Sequence, residues 1–283
     1  MIIGGKYIDG TTLASYKMYD IHTHLIPGVD DGAWDIATAD SMLSLSSMEG
    51  IQKIIVTPHS SAFEVQPKLV RERYKELQQL VSDKYKEIEV HMGCELRCSP
   101  KTIKSVIDGL EDGTYPSMAG SRYVLIEFYA NVLPDEAKFC VGVLKKYGWI
   151  PVLAHVERYP NLFGLAVAAN KVKGTNAFAD GTLVNEYLWS IRQLKSMGCL
   201  IQLNISSVCQ ELDNKAAVCA TALLNSKLVD FLGTDAHDCG ARPPRIEIGL
   251  AHLYKYYEDE YVTRIAYKNA EQVWNGKSKK ENK

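Results

Sequence analysis

The sequence predicts an α/β protein built on parallel strands with crossover helices. Three observations carry this expectation. Short β-branched or apolar runs alternate with longer stretches of helical periodicity. Several of the helical stretches stop at a glycine. Nearly every apolar run ends with a His, Asp or Glu, at the strand edge where barrels and open α/β sheets place their active sites.

The runs are residues 18–24, 53–57, 89–96, 123–128, 150–155, 200–204 and 229–235, which makes seven expected strands. Helices are expected at 35–49, 67–85, 99–110, 135–147, 185–197 and 214–226, with Gly50, Gly148 and Gly198 as three of the stops. After Asp235 the chain passes through Arg242-Pro243-Pro244-Arg245 into two helix-like segments, 246–258 and 260–274. Residues 163–181, with Gly164, Asn170, Gly174 and Asn176, read as a loop or interrupted helix that overhangs a site. The expected organisation is an N-terminal extension (1–17), one catalytic domain (18–275) and a frayed, solvated tail (276–283).

With 283 residues, 46% of them apolar, the chain can bury a sizeable core. A formal net charge of −2 argues against the broad basic surface that non-specific nucleic-acid binding needs. The sequence offers no apolar signal core near the N-terminus and no run of about 18 uncharged apolar residues, so neither secretion nor membrane insertion is expected. Seven cysteines at irregular spacings, without a Cys-x-x-Cys pair, suit a reducing compartment, and a cytoplasmic location is expected.

The chemistry collects at the strand ends. His22 and His24 sit one residue apart in YDIHTHLIPGVDDG, and Asp30 and Asp31 follow after a turn at Pro27-Gly28. Later strands end at His59, at Glu95, at Glu127, at His155 with Arg158 three residues on, and at Asp235 with His237. One such residue alone is as well explained by a solvated strand end or a satisfied buried imidazole. Five of the seven histidines fall at strand ends, however; the other two, His91 and His252, read as structural.

Asp31, Glu95, Glu127 and Asp235 would repel one another if gathered without counterions. Histidine mixed with carboxylate favours Mn, Fe or Zn over a thiolate or all-oxygen site, and the number of ligands exceeds what one ion uses, so two or three divalent ions are expected. Two such ions about 3.5–4 Å apart lower a water's pKa from near 15.7 to about 7 and stabilise both attacking and leaving oxygens, which suits phosphate-ester hydrolysis. Arg158 and Arg242 are placed to grip phosphoryl oxygens. Asp235 and His237 count with them as catalytic candidates. Cys239 and Arg245 fit the Cys-x5-Arg spacing of a cysteine phosphatase loop. Pro243 and Pro244 have no N–H to offer a phosphate, which argues against that mechanism.

In these residues the chain resembles the PHP (polymerase and histidinol phosphatase) superfamily, and within it the metal-dependent protein-tyrosine phosphatases of bacterial capsule and exopolysaccharide biosynthesis. The matching stretches are DIHTHLIPGVDDG, IVTPH, GCEL, SRYVLIEF, PVLAHVERY and GTDAH followed by ARPP. The resemblance implies a distorted seven-stranded (β/α)7 barrel with a trinuclear, commonly Mn-dependent site. Its ligands would be His22, His24, Asp31, His59, Glu95, Glu127, His155, Asp235 and His237, with Arg158 and Arg242 as phosphate contacts. It also implies a phosphotyrosine protein as substrate, the tail of a bacterial tyrosine kinase. Ser60-Ser61-Ala62-Phe63 after His59 departs from the His or basic residue and glycine common there. Two alternatives stand beside this reading: a small-molecule phosphatase of the histidinol-phosphate type, and a non-catalytic phosphotyrosine-binding scaffold.

Overall fold

A computed structural model of the chain describes residues 16–163, 188–208 and 215–276. The expectations for residues 1–15, 164–181, 185–187, 214 and 277–283 lie outside the described residues. The α/β expectation holds, with every strand pairing parallel.

The strand count differs from the expected seven. Among the described residues eight strands form two sheets, one ordered β1-β2-β3 and one ordered β4-β5-β6-β7-β8. They are β1 (Met18–Thr23), β2 (Ile51–Val56), β3 (Glu89–Met92), β4 (Glu95–Arg97), β5 (Tyr123–Glu127), β6 (Ile150–Leu153), β7 (Leu200–Asn204) and β8 (Phe231–Gly233). The run 89–96 is interrupted at Gly93-Cys94, where the interior is tight enough that a Cβ on Gly93 would stand 2.8 Å from the Ile55 side chain. Hydrogen bonds still cross both seams between the sheets. Glu95 N donates to Pro58 O (3.0 Å), while Asp235 N donates to His22 O (2.8 Å) and His24 N to Ala236 O (2.9 Å).

Among the described residues the helices are α1 (Ile36–Met48), α2 (Ser60–Val65), α3 (Pro67–Lys84), α4 (Ile103–Glu111), α5 (Pro134–Lys146), α6 (Trp189–Ser196), α7 (Lys215–Asn225), α8 (Glu247–Tyr256), α9 (Asp259–Thr263) and α10 (Asn269–Asn275), with a π turn at Arg264–Lys268 before the last. Asp35 caps α1 by accepting from Thr38 N (2.7 Å). Proline opens α3 and α5, and α5 has acids in its first turn and lysines in its last, as the helix dipole favours. The expected stops at Gly50, Gly148 and Gly198 all have left-handed φ (83°, 78° and 85°). The expected helix at 99–110 starts late, at Ile103, because Ser99 and Thr102 bond each other's backbone N–H (3.0 and 3.2 Å) and hold a turn. The expected helix 260–274 is interrupted by the π turn, and α2 was not foreseen. Among the described residues no helix is long and apolar enough to cross a membrane.

Side chains alternate between two cores, as they must on a parallel sheet buried on both faces. Met18, Ile54, Val56, Val124, Ile126 and Leu153 pack outward under the helices. Tyr19, Ile21, Ile55, Leu125, Val152 and Phe231 pack on the other face, with Val273 and Trp274 of α10 among them. That inner face carries the site.

Candidate metal centre

Followed toward the C-terminal ends, the inner-face positions change from apolar to polar at a spacing of two. Leu125 is followed by Glu127, Leu200 by Gln202 and Asn204, and Phe231 by Gly233 and Asp235. On β4, Glu95 and Arg97 share one face. His22 follows the inner-facing Ile21 directly, and it joins the site where the β1–β2 register slips between Asp20 and Thr23. His155 follows the inner-facing Ala154, and positive φ at His155 (32°) re-aims it; Asp235 also has positive φ (53°). Such conformations cost a non-glycine residue of order 1–3 kcal/mol and persist where the surroundings fix them.

The expected residues gather in one place. Glu95 is the hub, with carboxylate oxygens 3.3 Å from His22 Nε2, 3.5 Å from His24 Nε2, 2.9 Å from His59 Nδ1 and 2.9 Å from His155 Nε2. Asp235 Oδ1 lies 3.4 Å from His22 Nε2 and 3.6 Å from His24 Nε2. Asp31 Oδ1 lies 3.1 Å from His59 Nε2 and 3.3 Å from His237 Nε2, and Glu127 Oε1 is 3.6 Å from His59 Nδ1. Three groupings each bring one donor atom per residue within 4.8 Å of the others: His24, Asp31, His59 and His237; His22, His24 and Glu95; His59, Glu95 and Glu127. His24, His59 and Glu95 belong to two groupings each, the sharing expected of ions set side by side.

The donor set passes a direct test of fit. His22 Nε2, His24 Nε2, His59 Nδ1 and His237 Nε2 are buried without a hydrogen-bond partner, although carboxylate oxygens lie close to each. Buried polar atoms are rarely left so, and nitrogens and oxygens that crowd without hydrogen-bond geometry are arranged to converge on a cation.

The opposite nitrogens of several rings are anchored. His22 Nδ1 donates to Gln202 Oε1 (3.1 Å), His24 Nδ1 to Asp30 Oδ2 (2.8 Å) and His237 Nδ1 to Asp235 O (2.8 Å). Each anchor fixes a tautomer that leaves Nε2 as the free lone pair. Gln202 Oε1 also accepts from His155 N (2.8 Å); its Nε2 donates to Asn204 Oδ1 (2.8 Å), and Asn204 Nδ2 donates to Asp235 Oδ2 (3.0 Å). Asp30, named only as a neighbour in the sequence reading, thus serves as an anchor, and it accepts from His59 N as well (3.1 Å). A Cβ on Gly32 would stand 2.2 Å from His24 O, so this loop can lie against the histidine only with glycine there.

Electrostatics follow from this packing. Burial opposes ionisation of Glu95 and Asp235, yet His22 and the other imidazoles, with Arg158 at Asp235, hold both carboxyls below their ordinary range. Burial likewise opposes the His59 cation, but Glu127 and Glu95 lift its pKa to about 10. Burial, with His24 next to it, pushes His237 down to about 4, so that ring is neutral.

Both expected arginines stand at the rim. Arg158 Nη1 donates to Asp235 Oδ2 (2.7 Å), and Arg242 Nη2 to Asp31 Oδ2 (3.1 Å). A third was missed: Arg97 donates to Glu127 Oε1 through Nε (2.8 Å) and Nη2 (2.7 Å). The two-residue spacing from Glu95 was the signal for Arg97, and the same-face spacing from Leu200 was the signal for Gln202.

Parallel strands that deliver imidazoles and carboxylates to one buried cluster, ringed by arginines, define an α/β protein with a site fit for divalent metal ions. A family model described as capsular polysaccharide synthesis, CpsB/CapC, matches residues 18–178 and 182–275, and the chain belongs to that family. Among its relatives is the tyrosine-protein phosphatase YwqE of Bacillus subtilis, 26% identical over 245 residues, with 86% of each chain covered. Another is the tyrosine-protein phosphatase CpsB of Streptococcus pneumoniae, 24% identical over 247 residues, covering 85% of this chain and 91% of the relative. The fold also matches a crystal structure from work on YwqE and CpsB as metal-dependent tyrosine phosphatases, with TM-score 0.72 and 26% identity over 92% of this chain and 96% of that one.

Proposed function

We propose that this chain is a metal-dependent phosphomonoesterase that removes phosphate from tyrosine in a protein substrate. The carrying observation is the set of three overlapping donor groupings with four partnerless buried imidazole nitrogens, ringed by arginines. The tyrosine-phosphatase names of the relatives support the substrate class.

In this reading His22, His24, Asp31, His59, Glu95, Glu127, His155, Asp235 and His237 hold two or three divalent ions, with manganese the first choice. Such ions, when bound, supply Lewis acidity toward phosphoryl oxygens and make a water acidic enough to yield a nucleophile near neutral pH. The chain's own residues do the rest. Arg158 and Arg242 orient the phosphoryl group through forked donors. Asp30 and Gln202 keep His24 and His22 in the ligating tautomer, and Asp235 O does the same for His237. Burial of the imidazoles keeps bulk water off the centre, which strengthens each of these interactions.

The hydrogen bonds across both seams support a distorted seven-stranded barrel in which β3 and β4 count as one broken strand. The span of the family match supports one catalytic domain over 18–275. The family's description supports a role in capsular polysaccharide synthesis; within that role the partner we propose is a tyrosine kinase of capsule or exopolysaccharide biosynthesis, met in the cytoplasm.

The test is hydrolysis of a phosphotyrosine peptide by purified protein, with manganese added and with chelator, beside histidinol phosphate. Turnover of the peptide that needs manganese and is lost in His155→Ala is expected. Preference for histidinol phosphate, or peptide turnover that survives both chelation and His155→Ala, would overturn the proposal.

A further inference from the structure

A groove of about 510 Å3 opens beside the candidate centre, lined among others by His59, Arg97, Glu127 and Tyr129. His59 and Glu127 belong to the metal groupings, so groove and centre are continuous. Arg97 lies on the Glu127 side of the cluster, and its Cζ stands 5.4 Å from the centroid of the Tyr129 ring. Tyr129 is 59% exposed. Burial therefore does not explain a large aromatic ring at this rim.

The three arginines follow one pattern. Arg158 pairs with Asp235, Arg242 with Asp31 and Arg97 with Glu127, each guanidinium resting on one acidic donor of the cluster. A cation on those carboxylates competes for the same lone pairs, which turns guanidinium donors toward an arriving anion. Of the three, Arg97 is the one that lines the groove. A guanidinium over a phenol ring that is otherwise largely exposed sets an anion-binding group beside an aromatic surface. An alkyl phosphate meets only the first of these features, whereas an aryl phosphate meets both.

We propose that Arg97 and Tyr129 form a clamp that selects aryl over alkyl phosphates, with Tyr129 bearing on the substrate ring and Arg97 on its phosphoryl group. This rests on the phosphatase reading above and adds to it the residues that recognise the aryl class.

The test uses the manganese-loaded full chain, with calorimetric binding of phenylphosphonate and methylphosphonate and kinetics on a phosphotyrosine peptide. The wild-type protein is expected to bind phenylphosphonate about three- to tenfold more tightly, the scale of one aromatic contact. Tyr129→Ala should bring that ratio to about one and Tyr129→Phe should keep it, since only the ring is invoked. Arg97→Ala should raise KM for the peptide about tenfold with far less effect on kcat, and Arg97→Lys should recover part of the loss. A ratio that persists in Tyr129→Ala overturns the clamp. So does an Arg97→Ala protein that loses manganese by elemental analysis while its KM stays put, because Arg97 would then only brace Glu127. If the wild-type protein turns over no phosphotyrosine peptide, the phosphatase reading falls and the clamp with it; if it does and the phosphonate ratio ignores Tyr129, the clamp alone falls.

Discussion

Gln202→Leu separates a positioning network from simple packing. Gln202 is fully buried, so water cannot replace what its side chain does. The substitution strands His22 Nδ1, His155 N and Asn204 Oδ1, which Gln202 meets at 3.1, 2.8 and 2.8 Å. Each buried polar group left unpaired costs about 1–3 kcal/mol, so the low end of the sum is about 3 kcal/mol. For a chain of this size that corresponds to a drop in Tm of about 6–12 °C. Loss of the anchor on His22 should also weaken metal binding about 10- to 100-fold. Denaturant unfolding of chelator-treated protein measures the first effect, and manganese titration of folded protein the second. A variant within about 0.5 kcal/mol of wild type with unchanged manganese affinity would refute the reasoning.

Gly32→Ala forces a Cβ against His24 O and His24 Cβ (2.2 and 2.4 Å), and His24 is pinned by its N–H on Ala236 O; a loss of about 3 kcal/mol or more is expected in chemical denaturation. Cys239→Ser should keep phosphatase activity within about twofold, since the thiol is exposed and its pKa is raised by burial and Asp238 instead of lowered toward a reactive thiolate. Activity falling to background would reinstate a cysteine nucleophile. Manganese uptake should release protons. Burial opposes the charge on His22, His24 and His59, but nearby carboxylates override it and raise all three pKa values, to about 10 for His59. Protons therefore compete most at low pH, manganese affinity should climb as pH rises through the neutral range, and calorimetry in two buffers counts the protons. A pH-independent affinity would count against this site.

The sequence made the strand ends legible because nearly every one carries a charged or ligating residue after an apolar run, a pattern that survives without any knowledge of packing. Less could be read where tertiary contact decides. The break at Gly93 falls at a close approach to Ile55, and the late start at Ile103 follows from a side-chain-capped turn that competes with the helix. Gln202 and Asn204 are uncharged, and nothing in residue type separates Arg97 from an arginine on the surface. Their same-face spacing placed all three on the inner face, but the apolar-to-polar change along that face appears only once the two cores are separated. The turns of His22 and His155 into the site depend on a register slip and on positive φ at His155, neither of which leaves a mark in residue type.

The convergence of distant imidazoles and carboxylates on bound cations is tested most directly by anomalous diffraction at the manganese edge from crystals grown with manganese. Two or three peaks enclosed by His22, His24, Asp31, His59, Glu95, Glu127, His155, Asp235 and His237 are expected. Peaks elsewhere on the molecule, with none among these side chains, would contradict the account.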